Sequence, residues 1–315
     1  MTTIKNRLYN MQLNSVLALV SFVLITTSFS FGQDANKAVT GVFNSGVFLE
    51  NQTTVMVPKK TFEFVINHRF GKLSDGKYSD DISSMYGLYS PSNIRLGFNY
   101  GITDKFQIGF GATKNNLQED LNYKYSIVEQ TTNNKIPVSV VFFGATYLDA
   151  RLKSSSVFSY PNYKYVHRLS YFNEILISRK FNDMFSLQAA ATYTHLNLVD
   201  QATVPFGNTQ VVERLRRSDQ FGMSALAKIN LTQTIAFICE YDNNFSKLYM
   251  QPTATYPEAR PNFSFGFENA TAAHSFQVFV TTASNITYQT NMVYNTNPFS
   301  TKGLGIGFNI TRVFY

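Results

Sequence analysis

The sequence predicts an all-β fold: a closed antiparallel transmembrane β-barrel of about 12 strands, with short periplasmic turns and long extracellular loops. Three observations predict it. Large apolar residues recur at every second position in segment after segment, and the links between segments alternate between short and long. Beyond residue 33, no apolar run is long enough for a spanning helix. The stretch IRLGFNYGITDKFQIGFGATK (94–114) shows the pattern in small compass. Ile94, Leu96, Phe98 and Tyr100, then Phe106, Ile108 and Phe110, alternate with Arg95, Gly97, Asn99 and Gly101, then Gln107, Gly109 and Gly111. Period two puts each set on its own face of a strand. In hydrocarbon every backbone N–H and C=O needs an internal partner, so a sheet spans only if it closes on itself. Lipid then meets one face and the lumen the other.

Taken in order, residues 1–32 read as a secretory signal. Lys5 and Arg7 precede an apolar core around residues 16–25, and Ser30 and Gly32 stand at the spacing of a signal-peptidase site, with cleavage after Gly32. Removing the two cations lowers the formal charge from +7 to +5, because residues 1–32 contain no acid. That balance is a mild preference for anionic surroundings and not a nucleic-acid footprint. The single Cys239 makes no intrachain disulfide, so an exported domain must hold together without one. Residues 33–58 are an N-terminal periplasmic lead or a lumen plug; VFNSGVFLENQTTVMV (42–57) has strand character without clean alternation.

The barrel is expected over 59–315. Its first strand, 61–70, sets Phe62, Phe64, Ile66 and Phe70 against Glu63, Asn67 and Arg69. The 94–114 pair follows, then 120–128, 135–146, 167–178, 184–197, 218–230, 234–242, 262–268, 274–281 and 303–315. Short polar links such as ITD, TTNN, FND and LTQ alternate with long ones near 71–91, 147–165, 198–215, 243–261 and 282–302, the shorter 115–119 excepted. An even strand count with this alternation places both termini in the periplasm. A secreted β-sandwich would also alternate, but it accounts less well for the final strand. There Leu304, Ile306, Phe308, Ile310 and Phe314 share one face and the chain stops at Tyr315, a pattern like the signal read by the outer-membrane assembly machinery.

VFNSGVFLENQTTVMVPKKTFEFVINHRFG, YSPSNIRLGFNYGITDKFQIGFGATK, LNYKYSIVEQ and IPVSVVFFG, all within 42–144, resemble the barrel family labelled domain of unknown function 5777. The resemblance implies a Bacteroidetes-type, Gram-negative outer-membrane barrel. It brings no activity that attaches to particular residues.

With the apolar faces toward lipid, the candidate lumen-lining residues are Glu63, Arg69, Arg95, Lys124, Arg168, Glu174, Arg214, Arg216, Lys228, Glu240 and Glu268. Either they pair and fill a narrow lumen, or they line a wet passage that selects solutes by charge. The inward glycines Gly97, Gly101, Gly109, Gly111, Gly305 and Gly307 thin the wall, which suits an opening or an inserted plug. RLRR (214–217) lies at the expected outer rim, where guanidinium groups suit lipopolysaccharide phosphates, although a solvated loop end is the plainer reading. Tyr86, Tyr89, Tyr147, Tyr160, Tyr163 and Tyr165 read as an interfacial girdle before a carbohydrate-stacking surface.

No catalytic, cofactor or metal site emerges. His68, His167, His195 and His274 are scattered one to a strand, without metal-ligand spacing. A rim group of His195, Ser218 and Asp219 fails on parity, because His195 points to lipid and Ser218 to the lumen. The expected partners are outer-membrane lipid, lipopolysaccharide, the assembly machinery and an unidentified envelope protein. The function expected is a porin-like passive channel for small polar solutes; the alternative is a closed barrel serving as a scaffold in an envelope complex.

Overall fold

The computed structural model describes residues 37–74, 76–154, 158, 163–199, 201–206, 209–214, 216–246, 248 and 257–315, with 201–214 as backbone only. The expected signal sequence at 1–32 lies outside the described residues. A small hairpin comes first, β1 (Val47–Phe48) paired with β2 (Asn51–Gln52). The barrel strands follow as β3 (Phe62–Lys72), β4 (Asn93–Thr103), β5 (Phe106–Thr113), β6 (Gln118–Val128), β7 (Ser139–Asp149), β8 (Leu169–Lys180) and β9 (Phe185–Leu196). After a second hairpin, β10 (Gln201–Phe206) and β11 (Thr209–Arg214), come β12 (Asp219–Asn230), β13 (Ile235–Asn244), β14 (Asn262–Ala270), β15 (His274–Thr281) and β16 (Gly305–Phe314). Two short helices lie in long loops, α1 (Tyr78–Ser83) and α2 (Tyr288–Tyr294). No described helix is long and apolar enough to cross a membrane.

Each barrel strand pairs antiparallel with the next, β9 skips the β10–β11 hairpin to pair with β12, and β16 returns to β3. Phe314 stands opposite Phe62 and Ile310 opposite Ile66 at this closure, so the ring of 12 strands has no free edge. The alternation sorts as the sequence requires. Phe98, Phe110, Leu121, Phe267 and Val278 face outward and exposed, while Asn99, Gln107, Asn122, Lys124 and Gln277 between them face inward and buried. Facing rings pair across strands on the outer surface, as in Phe64–Phe98 and Phe237–Phe267.

The long loops hold what alternation does not reveal. The 198–215 link contains the β10–β11 hairpin outside the barrel ring. The 282–304 link carries α2, which lies against the inner faces of β8, β9 and β13. The inner face is also not uniformly polar. Phe143, Phe172, Leu176 and Ala190 form one inward apolar patch, against which Met292, Val293 and Tyr288 of α2 pack. Leu226, Ile238 and Phe279 form a second, against which Phe43, Phe48 and Leu49 pack. Those three belong to the N-terminal segment, which therefore sits inside the barrel.

Candidate functional site

The bore and its occupants are the candidate site. The N-terminal segment enters at the short-turn end, where the Val39 amide donates to the Gln130 carbonyl at 2.7 Å. It climbs to the β1–β2 hairpin and returns to the same end, where the Lys60 amide donates to the Gly101 carbonyl at 2.7 Å before β3 begins. Leu49 turns the hairpin in the left-handed region at φ 49°. Apolar side chains seat the tip, with Phe48 and Leu49 only 1% and 0% exposed. Full burial of a side chain of this size is worth about 1.5–3 kcal/mol.

Polar wall residues fix the segment's backbone. Lys124, 0% exposed, points all three of its donor hydrogens at segment carbonyls: Gly46 at 3.2 Å, Thr53 at 3.0 Å and Val55 at 3.1 Å. Gln277 donates to the Val47 carbonyl and accepts from the Leu49 amide, both at 3.0 Å. Gln188 spans Gln52 and Thr54 in the same two-way manner, at 2.8 and 3.1 Å. Lys228 reaches the Gly41 carbonyl at 3.0 Å. Buried backbone groups without strand partners need such replacements.

The charged residues divide between pairing with the wall and pairing with the segment. Arg69 grips Glu50 through two N–O contacts of 2.7 and 2.8 Å, both side chains fully buried. Arg95 on β4 reaches across β5 to hold Asp120 on β6, on the inner face, at 2.8 and 2.7 Å. Glu63 accepts from Asn99, and Glu268 accepts from Ser275, Gln277 and the segment's Asn44. Asn51 at the hairpin donates to both Glu240 at 3.0 Å and Asp242 at 2.5 Å, and the Glu50 amide donates to Glu240 at 3.2 Å. Glu174 accepts from Ser224. The inward glycines make the room: a Cβ on Gly111 would lie 2.2 Å from the Arg95 guanidinium, and one on Gly101 would lie 2.1 Å from the Pro58 carbonyl oxygen.

Glu63, Arg69, Arg95, Lys124, Glu174, Lys228, Glu240 and Glu268 thus lie inside the barrel. Three expected lumen residues lie elsewhere. Arg168 is in the turn before β8, where it donates to the Asp149 and Arg151 carbonyls at 2.7 and 2.5 Å and covers the Phe158 ring at 4.1 Å. Arg216 is in the loop before β12, donating to the Val293 carbonyl of α2 at 3.0 Å. Arg214 ends β11, outside the ring, with its side chain beyond the described residues. None of the three lies on a strand of the barrel ring, so strand parity does not apply to them. The expected parity of His195 does hold: it bonds Asp219 at 2.8 Å on the outer surface, where its other ring nitrogen meets Asn197.

Sequence reasoning missed Asp120 and Asp242, although both share inward parity with Asn122 and Glu240. It also missed Tyr288, whose hydroxyl accepts from Gln52 at 2.5 Å, and Asn291, which donates to Glu50 at 3.3 Å. Burial pushes the Tyr288 hydroxyl above the usual tyrosine range, so it stays neutral in this contact. Through these bonds α2, arriving from the long-loop end, meets the hairpin arriving from the short-turn end. A cavity of about 650 Å³ remains beside α2, and another of about 430 Å³ lies between the ends of β3 and β4 and the 283–303 loop, both in the long-loop half of the barrel.

Comparison with solved structures returns barrels of low similarity. The toluene transporter TodX of Pseudomonas putida is 13% identical with a TM-score of 0.28, over 70% of this chain and 48% of that one. This chain therefore spans about half the length of that transporter. Omp33, an Acinetobacter baumannii outer membrane protein, gives 8% and 0.36 over 82% and 100% of the two chains. A Pseudomonas aeruginosa FadL homologue gives 10% and 0.38 over 86% and 95%. Likeness this low brings no substrate with it. No curated protein matches the chain in sequence. The family described as a membrane bound beta barrel domain, DUF5777, matches residues 43–314, which takes in the bore-filling segment from Phe43 as well as all 12 strands of the ring. The chain belongs to the DUF5777 family of membrane-bound β-barrels.

Proposed function

We propose that this protein is an outer-membrane barrel that is closed at rest by its own N-terminal segment and passes small polar solutes when that segment is withdrawn. The observation that carries the reading is the seating of residues 42–57. Their apolar tip is buried in the middle of the bore, and Lys124 holds three of their carbonyls. A permanently open pore would leave wall residues such as Lys124, Ser224 and Glu240 wet, yet each is at most 2% exposed. Both ends of the segment lie at the short-turn rim, periplasmic in outer-membrane barrels, so withdrawal toward the periplasm crosses no strand. Emptied, a ring of 12 strands at about 4.8 Å spacing and about 40° tilt has a backbone diameter of roughly 24 Å. Its wall would then carry both signs of charge, Arg69 and Lys124 as well as Glu63 and Glu240. Such a wall suits polar solutes with weak charge preference.

Planar-bilayer recording tests this. The full chain should rest closed with rare openings, and a variant lacking residues 42–57 should conduct continuously. Silence from both proteins would leave the scaffold reading in possession, with the filled bore a structural network and the outer loops its binding surface.

A further inference from the structure

The cavity of about 430 Å³ between the ends of β3 and β4 and the 283–303 loop differs in charge from the rest of the bore. Deeper in the barrel the cations are spent, Arg95 on Asp120 and Lys124 on three carbonyls of the segment. Here Arg69, Lys72 and Lys114 line the space and no carboxylate does. The charge of Arg69 is already met by Glu50. Lys72 and Lys114 have no carboxylate within ion-pair distance among the described residues. The Lys114 ammonium makes one bond, to the Ser92 carbonyl at 3.0 Å, which leaves two of its three donor hydrogens unused. Among the described residues nothing accepts from the Lys72 ammonium.

Neutral donors complete the lining. The Ser92 and Ser284 hydroxyls and the Asn115 side-chain amide have no protein partner among the described residues. Lys72, Lys114, Asn115 and Ser284 are exposed and Ser92 is half-buried, so these groups are open to an incoming solute. The frame that carries them is fixed. The Lys114 amide donates to the Ile94 carbonyl at 2.9 Å and the Asn115 amide to the Asn93 side-chain oxygen at 3.1 Å. Across the cavity, Asn297 donates to the Thr282 carbonyl at 2.8 Å. Donors held in place before a ligand arrives lose little freedom when it binds. Ammonium, hydroxyl and amide donors with no competing carboxylate suit a ligand that accepts and carries negative charge. A phosphate group does both, and lysine binds it as a point charge. A cation would be repelled here, and a neutral solute would leave both ammonium charges unmatched. The volume lies within the range of small-molecule sites and leaves room for an organic group beside the phosphate.

We propose that this cavity is a binding site for a phosphate group, with Lys72 and Lys114 as the residues that hold it. The site lies at the long-loop mouth, away from the rim where the segment enters, so binding stands or falls apart from conduction. The test uses the full-length protein in detergent at fixed ionic strength, because exposed charges are screened by salt. Calorimetric titration with inorganic phosphate, glucose 6-phosphate and glucose is joined by native mass spectrometry with lipid A. At least one phosphate-bearing probe should bind about tenfold or more tighter than glucose, and the tightest of them identifies the source as free anion, sugar phosphate or lipid headgroup. The double variant Lys72→Gln with Lys114→Gln should lose about tenfold or more of that affinity while heat-modifiable gel mobility shows the barrel intact. Lys105→Gln with Lys135→Gln makes the same change in net charge on exposed lysines in the short turns and should leave the affinity unchanged. Absence of binding by all three phosphate-bearing probes, equal binding of glucose, equal losses in the two double variants, or unchanged affinity in the folded Lys72/Lys114 variant would each overturn the proposal.

Discussion

Lys124 shows how one side chain can hold a segment inside the bore. An ammonium group has three donors and no acceptor, and here all three go to carbonyls of a segment that has few strand partners of its own. The residue's strand is fixed by its pairing in the ring, so the lysine positions the segment and not the reverse. Lys124→Met should therefore leave the barrel folded while stranding buried acceptors at about 1–3 kcal/mol each. The measurement is open probability in bilayers, which should rise at least tenfold over the unaltered chain. An unchanged closed level would show that apolar seating alone holds the segment. Arg69 and Glu50 act differently. A fully buried ion pair adds little net stability, and here it ties the hairpin's Glu50 to Arg69 of β3.

At the scale of elements, the segment and α2 enter the bore from opposite ends and meet. The hairpin seats on the Leu226–Ile238–Phe279 patch and α2 on the Phe143–Phe172–Leu176 patch, and Gln52 to Tyr288 and Asn291 to Glu50 join them. Each patch is an inward apolar surface that a water-filled lumen would leave wet. At Gly101 the backbone of the segment lies close against the wall. A Cβ there would meet the Pro58 and Val57 carbonyl oxygens at 2.1 and 2.6 Å, and both are backbone atoms that cannot swing aside. Gly101→Val, at the end of β4, should therefore unseat the segment without breaking the ring. Overpacking of this kind costs about 1–3 kcal/mol. Limited proteolysis from the short-turn side should cut within 42–57 roughly tenfold faster than in the unaltered protein, tenfold being about 1.4 kcal/mol. Equal cutting rates would mean that the segment tolerates the shift.

For the whole molecule, the membrane enters as a solvent. The outward faces carry apolar and aromatic side chains around the circumference, and closure through β16 and β3 satisfies the last backbone edge. Val278 lies mid-strand on β15, 61% exposed and opposite Phe308 and Phe267 on its neighbours. Val278→Arg should destabilise the barrel by about 2–4 kcal/mol if that position lies at the bilayer midplane. Reversible folding into lipid vesicles measures this, and a cost near zero would place Val278 outside the hydrocarbon. The adjacent Gln277 faces inward and holds the hairpin, so Gln277→Ala should change the resting conductance more than the folding free energy.

The fold was legible in the sequence because a membrane barrel repeats one local constraint. A strand with lipid on one side and a packed lumen on the other must alternate, and Phe98, Phe110, Leu121 and Val278 show it without any knowledge of neighbours. The same parity put Glu63, Arg69, Arg95, Lys124 and Glu240 inside, and applied to Asp120 and Asp242 it would have added their counterparts. The sequence by itself thus determined the strand number, the two faces and the order around the ring. Only the tertiary structure decided what fills the ring. Residues 42–57 and 288–294 have no period to read, because each of their side chains meets a different wall residue. Their seats are assembled from single positions on several strands, Leu226, Ile238 and Phe279 in one case and Phe143, Phe172 and Leu176 in the other. Local alternation records which face a residue occupies, but contact between distant segments leaves no trace in spacing, so Arg168 and Arg216 could be placed only once their loops were seen folded.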